Sequence, residues 1–596
     1  MFHASRLSIV AAIVLGLLSV GLAASQSGVE FDAARSDAQA ATAPATAGAA
    51  DGAVPEAVPR RDDGSAKPSR KLRVRVTISK ETTAITEPLR DDGYPDYIAA
   101  LNRIASQGVT PENNAAVLLW RAFGPKEISV EVRERFFALL GVPVLPEQGD
   151  YFIPIDEFAE AHPELVPKVG KAPREETAEG EGADEEAGEP DESARVWEAY
   201  NAALERPWTA RQSPLMSAWL EANAKPLDLL VEASRRPKCY NPLVATDSDP
   251  MLIGVLLPAA RQSREAARLL RIRAMLGVGE GNLDAAWEDL LAMHRLARLQ
   301  GRGQTIIDTL VCLSIDGAAC DADAWMLASR RLSAAAALKM REQLRAIPIE
   351  PRMIDRIDIG ERWMYCDGVC YVVRTGRPQV LALLAADTEN GGLFERIRDQ
   401  LVCAAIDWDT VLRMGNEWYD RMVEAGRRET WAQRREAFDE IDRELREHPV
   451  RSKDPKRLAL AFLQNPRQAP SKMFGEMFAA LMLPPMKHVC AAEQRGIARR
   501  AVLETGFALA AYRTDERKYP ARLDQLVPKY VDRVPEDRFS GASLVYRPKS
   551  KGYVLYSVGP NMQDDGGRGL EDREGADNAG EWDDIVLRMP PSKPAK

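Results

Sequence analysis

Apolar residues recur at three- and four-residue spacing along most of this chain, and that spacing predicts a mostly helical protein. Leu269, Leu270, Met275 and Leu276 form one stripe, which Gly277 should end. Asn282 is placed to cap the next helix, which carries Leu283, Trp287, Leu290, Leu291 and Leu299. A third stripe begins near Gln304 with Ile306, Ile307, Leu310, Val311 and Ile315. Short loops between such helices predict layers of helical hairpins, here across a helical domain of residues 194–490.

The two ends of the folded part read differently. LRVRVTI, Leu72 to Ile78, alternates apolar and polar positions and predicts a half-buried strand. Helices are expected over 95–106, from an N-cap at Thr110 with Pro111 at the first helical position, and over 130–140 ahead of Gly141. Residues 71–170 thus read as a small α+β unit. Near the other end, Glu493 to Asp515 has an amphipathic helical pattern, and ARLDQLVPKYV a short helix. GASLVYRP and GYVLYSVG form a hairpin with its turn between Lys549 and Gly552, and DDIVLRM supplies a third strand. Residues 491–590 are therefore a second α+β unit with an antiparallel sheet, and 591–596 a tail.

The N-terminus sets the expected compartment. Arg6 precedes an apolar run from Leu7 to Leu22, with small residues Ala23, Ala24 and Ser25 at its exit. Residues 1–24 therefore read as an export signal or an uncleaved anchor. Residues 25–70 have almost no large apolar side chains and read as a disordered spacer. Residues 171–193 carry ten carboxylates spaced by Gly and Ala, from Glu175 to Glu192, and read as a solvated acidic linker.

A net charge of -10 over 596 residues argues against a nucleic-acid partner, which would want a basic face. Protein partners are expected instead, with membrane contact only through the N-terminal segment if it is retained. The charged stretch Arg427 to Pro449 reads as an exposed helix with ion pairs.

Candidate chemistry is sparse. GxSxG, HExxH and a phosphate-binding glycine loop are all missing from the sequence. Cys366 and Cys370 in CDGVC are open to a disulfide across an Asp367–Gly368 turn or to two free thiols. Cys312 and Cys320 lie too far apart along a helix to pair. Asp355 and Asp358 form a carboxylate pair that could serve acid–base work, against a salt-bridged role.

Three resemblances add to this. GEGNLDAAWEDLLAM resembles the turn and second-helix start of a tetratricopeptide unit, without a second copy at the period of about 34 residues that an array needs. Tyr519–Pro520, the LxxLVPxY segment from Leu523 to Tyr530, the VPED turn, the hairpin, and the loop of Ser557, Gly559, Asp564, Asp565, Gly566 and Gly567 together resemble the globular part of the major pseudopilin of type II secretion systems. That resemblance covers under a sixth of the chain. It implies a calcium ion in the Asp/Gly loop, with Asn561, Asp564 and Asp565 as candidate ligands. Calcium suits such a loop because it takes six to eight oxygen ligands in adaptable geometry. Pseudopilins place a hydrophobic helix of their own directly at the N-terminus, whereas here the helix before the sheet is internal, so pilus-like assembly is not implied. VTPENNAAVLLWRAFGP, GDYF, KPLDLLVEASRRPK and YSVGP with DDGG are similar to segments of large exported proteins of planctomycete-type bacteria, a resemblance that carries no activity.

The sequence therefore points to an exported cell-envelope or extracellular interaction or scaffold protein. No catalytic residue and no cofactor other than calcium is expected. The alternative is an extracytoplasmic hydrolase whose site the sequence does not display.

Overall fold

A computed structural model of the chain describes residues 75–167, 191–246, 251–255, 257–348, 353–375, 406–447, 468–483, 485–573 and 582–591. The expected export signal, the spacer, nearly all of the acidic linker, Cys403 and nearly all of the tail lie outside the described residues. The protein is mostly helical with a small antiparallel sheet near its C-terminus.

The N-terminal part carries helices α1 (Tyr97–Ala105), α2 (Ala115–Phe123), α3 (Val130–Leu140) and α4 (Ile155–Ala161). Among the described residues of this part no strand forms, and Leu72 to Val74 of the expected one lie outside them. Arg75 to Ile78 find no partner strand among the described residues. Thr77 instead donates its N–H (2.8 Å) and its hydroxyl (2.6 Å) to the carboxylate of Asp409, more than three hundred residues away. The start of α2 also differs from expectation. Thr110 and Asn113 bond to one another in a turn, and the cap is Asn114. Its side chain accepts from Ala116 N–H and Tyr240 N–H and donates to the Tyr240 carbonyl. The cap thus ties two distant segments as well as starting a helix. Gly141 ends α3 in a left-handed conformation, as its position predicts.

Helices α5 (Glu192–Glu205), α6 (Pro214–Ala222) and α7 (Ala224–Ser234) lead to three long ones, α8 (Leu257–Glu280), α9 (Leu283–Gln300) and α10 (Ile306–Ala328), followed by α11 (Ala334–Arg345). α9 packs on both α8 and α10. Its N-cap is Asn282, and Thr305 with Asp308 forms a capping box at the start of α10. Gly277 does not end α8, which runs on to Glu280. Gly277 and Gly279 serve close approach: a Cβ at Gly279 would overlap the Trp208 backbone, and one at Gly277 would crowd Ala286.

Met353–Arg356 (α12) and Arg362–Thr375 (α13) are joined by a π-helical turn, Ile357–Glu361. There a Cβ at Gly360 would overlap the Gln304 carbonyl. CDGVC lies inside α13 rather than on a turn, so Cys366 and Cys370 are free buried thiols. The Cys366 thiol donates toward the Thr82 carbonyl. Cys312 and Cys320 are free as well. α14 (Trp408–Arg427), α15 (Trp431–Glu447) and α16 (Ala469–Met482) close this second helical layer. Ion pairs join α14 to α15 at Arg421–Glu444 and α15 to the last helix, Met486–Glu516, at Asp439–Lys487.

The last helix, α17 (Met486–Glu516), begins before its sequence pattern suggests and leads into the sheet. Strands β1 (Val545–Lys549), β2 (Gly552–Ser557) and β3 (Ile585–Met589) lie in that order and pair antiparallel. Tyr546 stands opposite Leu555, and Leu555 opposite Leu587. The LDQL segment is a 3-10 turn, Leu523–Leu526, against α17. One hydrophobic cluster runs continuously from Ala115 in α2, through α8, α9 and α10, to Phe507, Leu555 and Met589. The sheet and the first helical layer share that core with α17, while the second layer packs in a separate cluster around Tyr365, Trp408, Tyr419 and Phe478. Among the described residues no helix is long and apolar enough to cross a membrane.

Candidate functional site

The loop between β2 and β3 is built from short polar residues and glycines, and its two arms are held together by carboxylates. Gly559 and Gly567 have positive φ values of 70° and 78°. Gly559 is also pressed on the Asp583 backbone, so a side chain there would clash. On the outgoing arm, Asp565 Oδ2 accepts from Asn561 Nδ2 (2.9 Å) and from the Asp583 N–H on the returning arm (3.0 Å). Asp583 accepts from the Asn561 N–H at 3.1 Å. Asp584 Oδ2 accepts from the Gly567 N–H at 2.8 Å. Both Asp583 and Asp584 are buried. Burial pushes each carboxyl up to about 6, and the charge of Asp565 adds to the rise in both.

Of the three residues expected as ligands, the structure brings two into this group and sends the third elsewhere. Asn561 and Asp565 lie with Asp583 and Asp584. Asp564 points to the sheet, where Tyr556 donates its hydroxyl at 2.7 Å and Arg547 pairs at 3.1 Å. The Tyr556 hydroxyl, followed by the Gly566 N–H and the charge of Arg547, holds the Asp564 carboxyl below its usual range. Asp583 and Asp584 were legible as the DD of DDIVLR, but their place across the loop depends on strand register. Asn561 Oδ1 accepts from the Gln563 N–H at 2.7 Å.

The loop is docked on the helical body. Trp431 Nε1 of α15 donates to the Pro560 carbonyl at 2.9 Å, and Arg435 donates to the Asn561 carbonyl at 3.1 Å. Arg495 of α17 lies 3.7 Å from Asp583. Beneath the loop, the buried Asp537 of the VPED turn accepts from Ser557 Oγ (2.6 Å), Ser540 Oγ (2.8 Å) and the Val558 N–H (3.3 Å).

Elsewhere the titratable groups pair with one another. Asp358 sits in an open surface cavity of about 390 Å³ lined also by Asp420, Glu424 and Arg427. It is bound to Arg362 at 2.8 Å and Arg427 at 3.1 Å, so its charge is already matched. Glu361, one residue past Gly360, is buried, and burial pushes its carboxyl up to about 7. Its Oε1 accepts weakly, at 3.4 Å, from the Ile306 N–H at the start of α10.

A second cluster was missed at the level of sequence. His294 of α9 meets Asp316, Cys320 and Asp323, which stand on one face of α10, and Arg500 of α17. Nitrogen, oxygen and sulfur donors of His294, Asp316 and Cys320 lie within 4.8 Å of one another. However, Arg500 Nη1 is 2.6 Å from Asp316 Oδ1 and 3.3 Å from His294 Nδ1. A guanidinium thus fills the place where a cation would bridge them, and the group is a closed charge network rather than a set of metal ligands. The spacing of Asp316, Cys320 and Asp323 at helical intervals was the available signal, but their partner His294 lies in another helix. No protein-family model, no curated protein and no solved structure matches this chain.

Proposed function

We propose that this chain is an exported cell-envelope or extracellular scaffold protein whose C-terminal module is stapled by calcium. The observation that carries the reading is that carboxylates bridge the two arms of the loop, Asp565 accepting the Asp583 N–H and Asp584 accepting the Asp565 and Gly567 N–H groups, with the Asp583 and Asp584 carboxyls raised to about 6. Like charges held together in a buried site are costly, and a divalent cation offsets that cost. The carboxylate donors are all oxygen, which suits a hard ion, and Asn561 would join them by turning its Oδ1 from the Gln563 N–H toward the group. Asp565, Asp583, Asp584 and Asn561 would hold it, and Asp564 would not, because Arg547 and Tyr556 already engage it. Bound there, calcium supplies positive charge that ties the two arms of the loop.

The scaffold part of the reading rests on how the loop is mounted. α15 and α17 grip it through Trp431, Arg435 and Arg495, so ordering the loop also orders the face of the helical body around it. The N-terminal segment supplies the expectation of export. Fractionation of cells expressing the full chain tests the compartment. The protein is expected in the envelope or the medium, with its mature N-terminus between Ala23 and Gly28 if the signal is cleaved. Full-length chain soluble in the cytoplasm would contradict it.

A further inference from the structure

We propose that the His294–Asp323 contact holds a proton that latches α17, and through it the C-terminal sheet, to the helical layer, and that alkaline pH releases the latch. His294 is fully buried, with Nδ1 2.7 Å from Asp316 Oδ1 and Nε2 2.9 Å from Asp323 Oδ2. A carboxylate can only accept a hydrogen bond, so each contact needs a proton between its two heavy atoms. A neutral ring facing two ionised carboxylates supplies one proton for two contacts. The second proton lies between Nε2 and Oδ2, on the ring or on the acid. Among the described residues Asp323 Oδ1 has no hydrogen-bond partner, so this residue depends on His294 for its pairing.

The charge balance explains why the proton is kept. Asp316 is matched by Arg500, and the His294–Asp323 pair is neutral as a unit while it holds its extra proton. Losing that proton leaves one uncompensated negative charge where both side chains are buried. Burial alone would pull the ring down, but Asp316 and Asp323 outweigh it and hold His294 above its ordinary value. Burial likewise pushes Asp316 up, but Arg500 and His294 outweigh it and hold that carboxyl well below its usual range.

The surrounding elements supply the rest of the field. From α10, burial pushes the thiols of Cys312 and Cys320 up, the former to about 12, so both stay neutral. From α17, Arg499 acts on Asp316 and Cys320, and Glu504 acts on Arg500. From α8, Arg271 has Asp321 and Glu205 as its charged neighbours. On α9 itself, Arg298 acts on Cys312. At the end of α11 the Leu344 carbonyl accepts from Arg500 Nη2 at 3.1 Å. Arg500 therefore joins α10, α11 and α17 at one point. Farther along α17, Gly506 lets the helix approach Leu587 of β3 closely. Loosening at Arg500 is transmitted to the sheet by that helix.

The sign follows from linkage. Proton retention in the folded form stabilises it fully below the ordinary histidine value. That stability is lost as pH rises through the raised folded value. Over that window the folded-to-unfolded ratio changes by up to about tenfold per pH unit. The test uses the full chain, by chemical denaturation and by amide hydrogen exchange of α17 and β3, from pH 6 to 9.5. Wild type is expected to lose stability and protection over this range beyond the intrinsic exchange trend. Asp323→Asn keeps an oxygen and a donor beside the ring without the charge, and should remove up to about tenfold per pH unit of that dependence, leaving the share that Glu361 contributes below pH 8. Equal pH dependence in the two proteins overturns the proposal. Histidine ring resonances of the wild type give a second measurement that needs no variant, since the chain has five histidines. One ring should hold its signal unchanged well past the titration of the exposed ones. Titration of every ring together near 6.5 overturns the latch, and so does a stoichiometric bound metal that Cys320→Ser releases.

Discussion

Single residues in this protein carry charge into places where water does not follow. Glu361 is the clearest case, buried beside the start of α10 with its carboxyl pushed up to about 7 from 4.5. An acid that holds its proton more tightly when folded lowers stability as pH rises from the unfolded value through the folded one. Glu361→Gln keeps an oxygen for the Ile306 N–H and cannot ionise. At pH 8 the variant should exceed wild type by on the order of 3 kcal/mol, and the two should converge near pH 4, as read from denaturant unfolding. A variant less stable than wild type at pH 8 would show that ionised Glu361 is paired. Asp537 is buried too, and its carboxylate accepts from Ser540, Ser557 and the Val558 N–H. Asp537→Ala leaves those donors without their acceptor and should cost about 2–4 kcal/mol, measured the same way. The proline–acid pair was visible in the sequence, and Ser540 is a local partner, but Ser557 and Val558 lie at the end of β2, and pairing across that distance is not written in local spacing.

Elements were legible where a local rule decides them. Asn282 caps α9, Gly141 ends α3, and the alternation in GYVLYS becomes β2. They were illegible where tertiary contact overrides the rule. Gly277 has the look of a helix stop, yet α8 continues because Gly277 and Gly279 let Ala286 and the Trp208 backbone come close. LRVRVTI has the look of a strand, yet no neighbouring strand exists to pair with it among the described residues. Gly279→Ala tests the first of these directly. A good helix former on an exposed site would stabilise, whereas here the added methyl collides with the Trp208 carbonyl. A loss of about 1–3 kcal/mol is expected in thermal or chemical unfolding. A gain would mean that Gly279 is a helix-end glycine after all.

At the scale of the molecule, the sequence suggested a helical domain joined to a separable pilin-like unit near residue 490. Beyond that point, Val502, Leu503, Phe507 and Ala508 of α17 belong to the cluster that also holds Leu290, Met326 and Leu555. A fragment of residues 486–596 would therefore expose the face of α17 that packs on α10 and α11. Such a fragment should bind hydrophobic dyes and lack a cooperative melt. A sharp independent transition would restore the sequence-based boundary. The candidate ligands follow the same pattern. Asn561 and Asp565 could be picked from the loop by residue type, whereas the exchange of Asp564 for Asp583 and Asp584 follows from how β1 and β3 flank β2. The most direct measurement of the central claim is a calorimetric calcium titration of the full chain, paired with melting in calcium and in chelator. The account predicts one site per chain, and a melting temperature that rises with calcium by the linkage relation, about 2.7 kcal/mol at a hundredfold excess over Kd. Asp565→Asn with Asp583→Asn should abolish both signals, while Asp564→Asn should retain the site. No heat and no shift in wild type, or a site lost in Asp564→Asn and kept in the double variant, would contradict it.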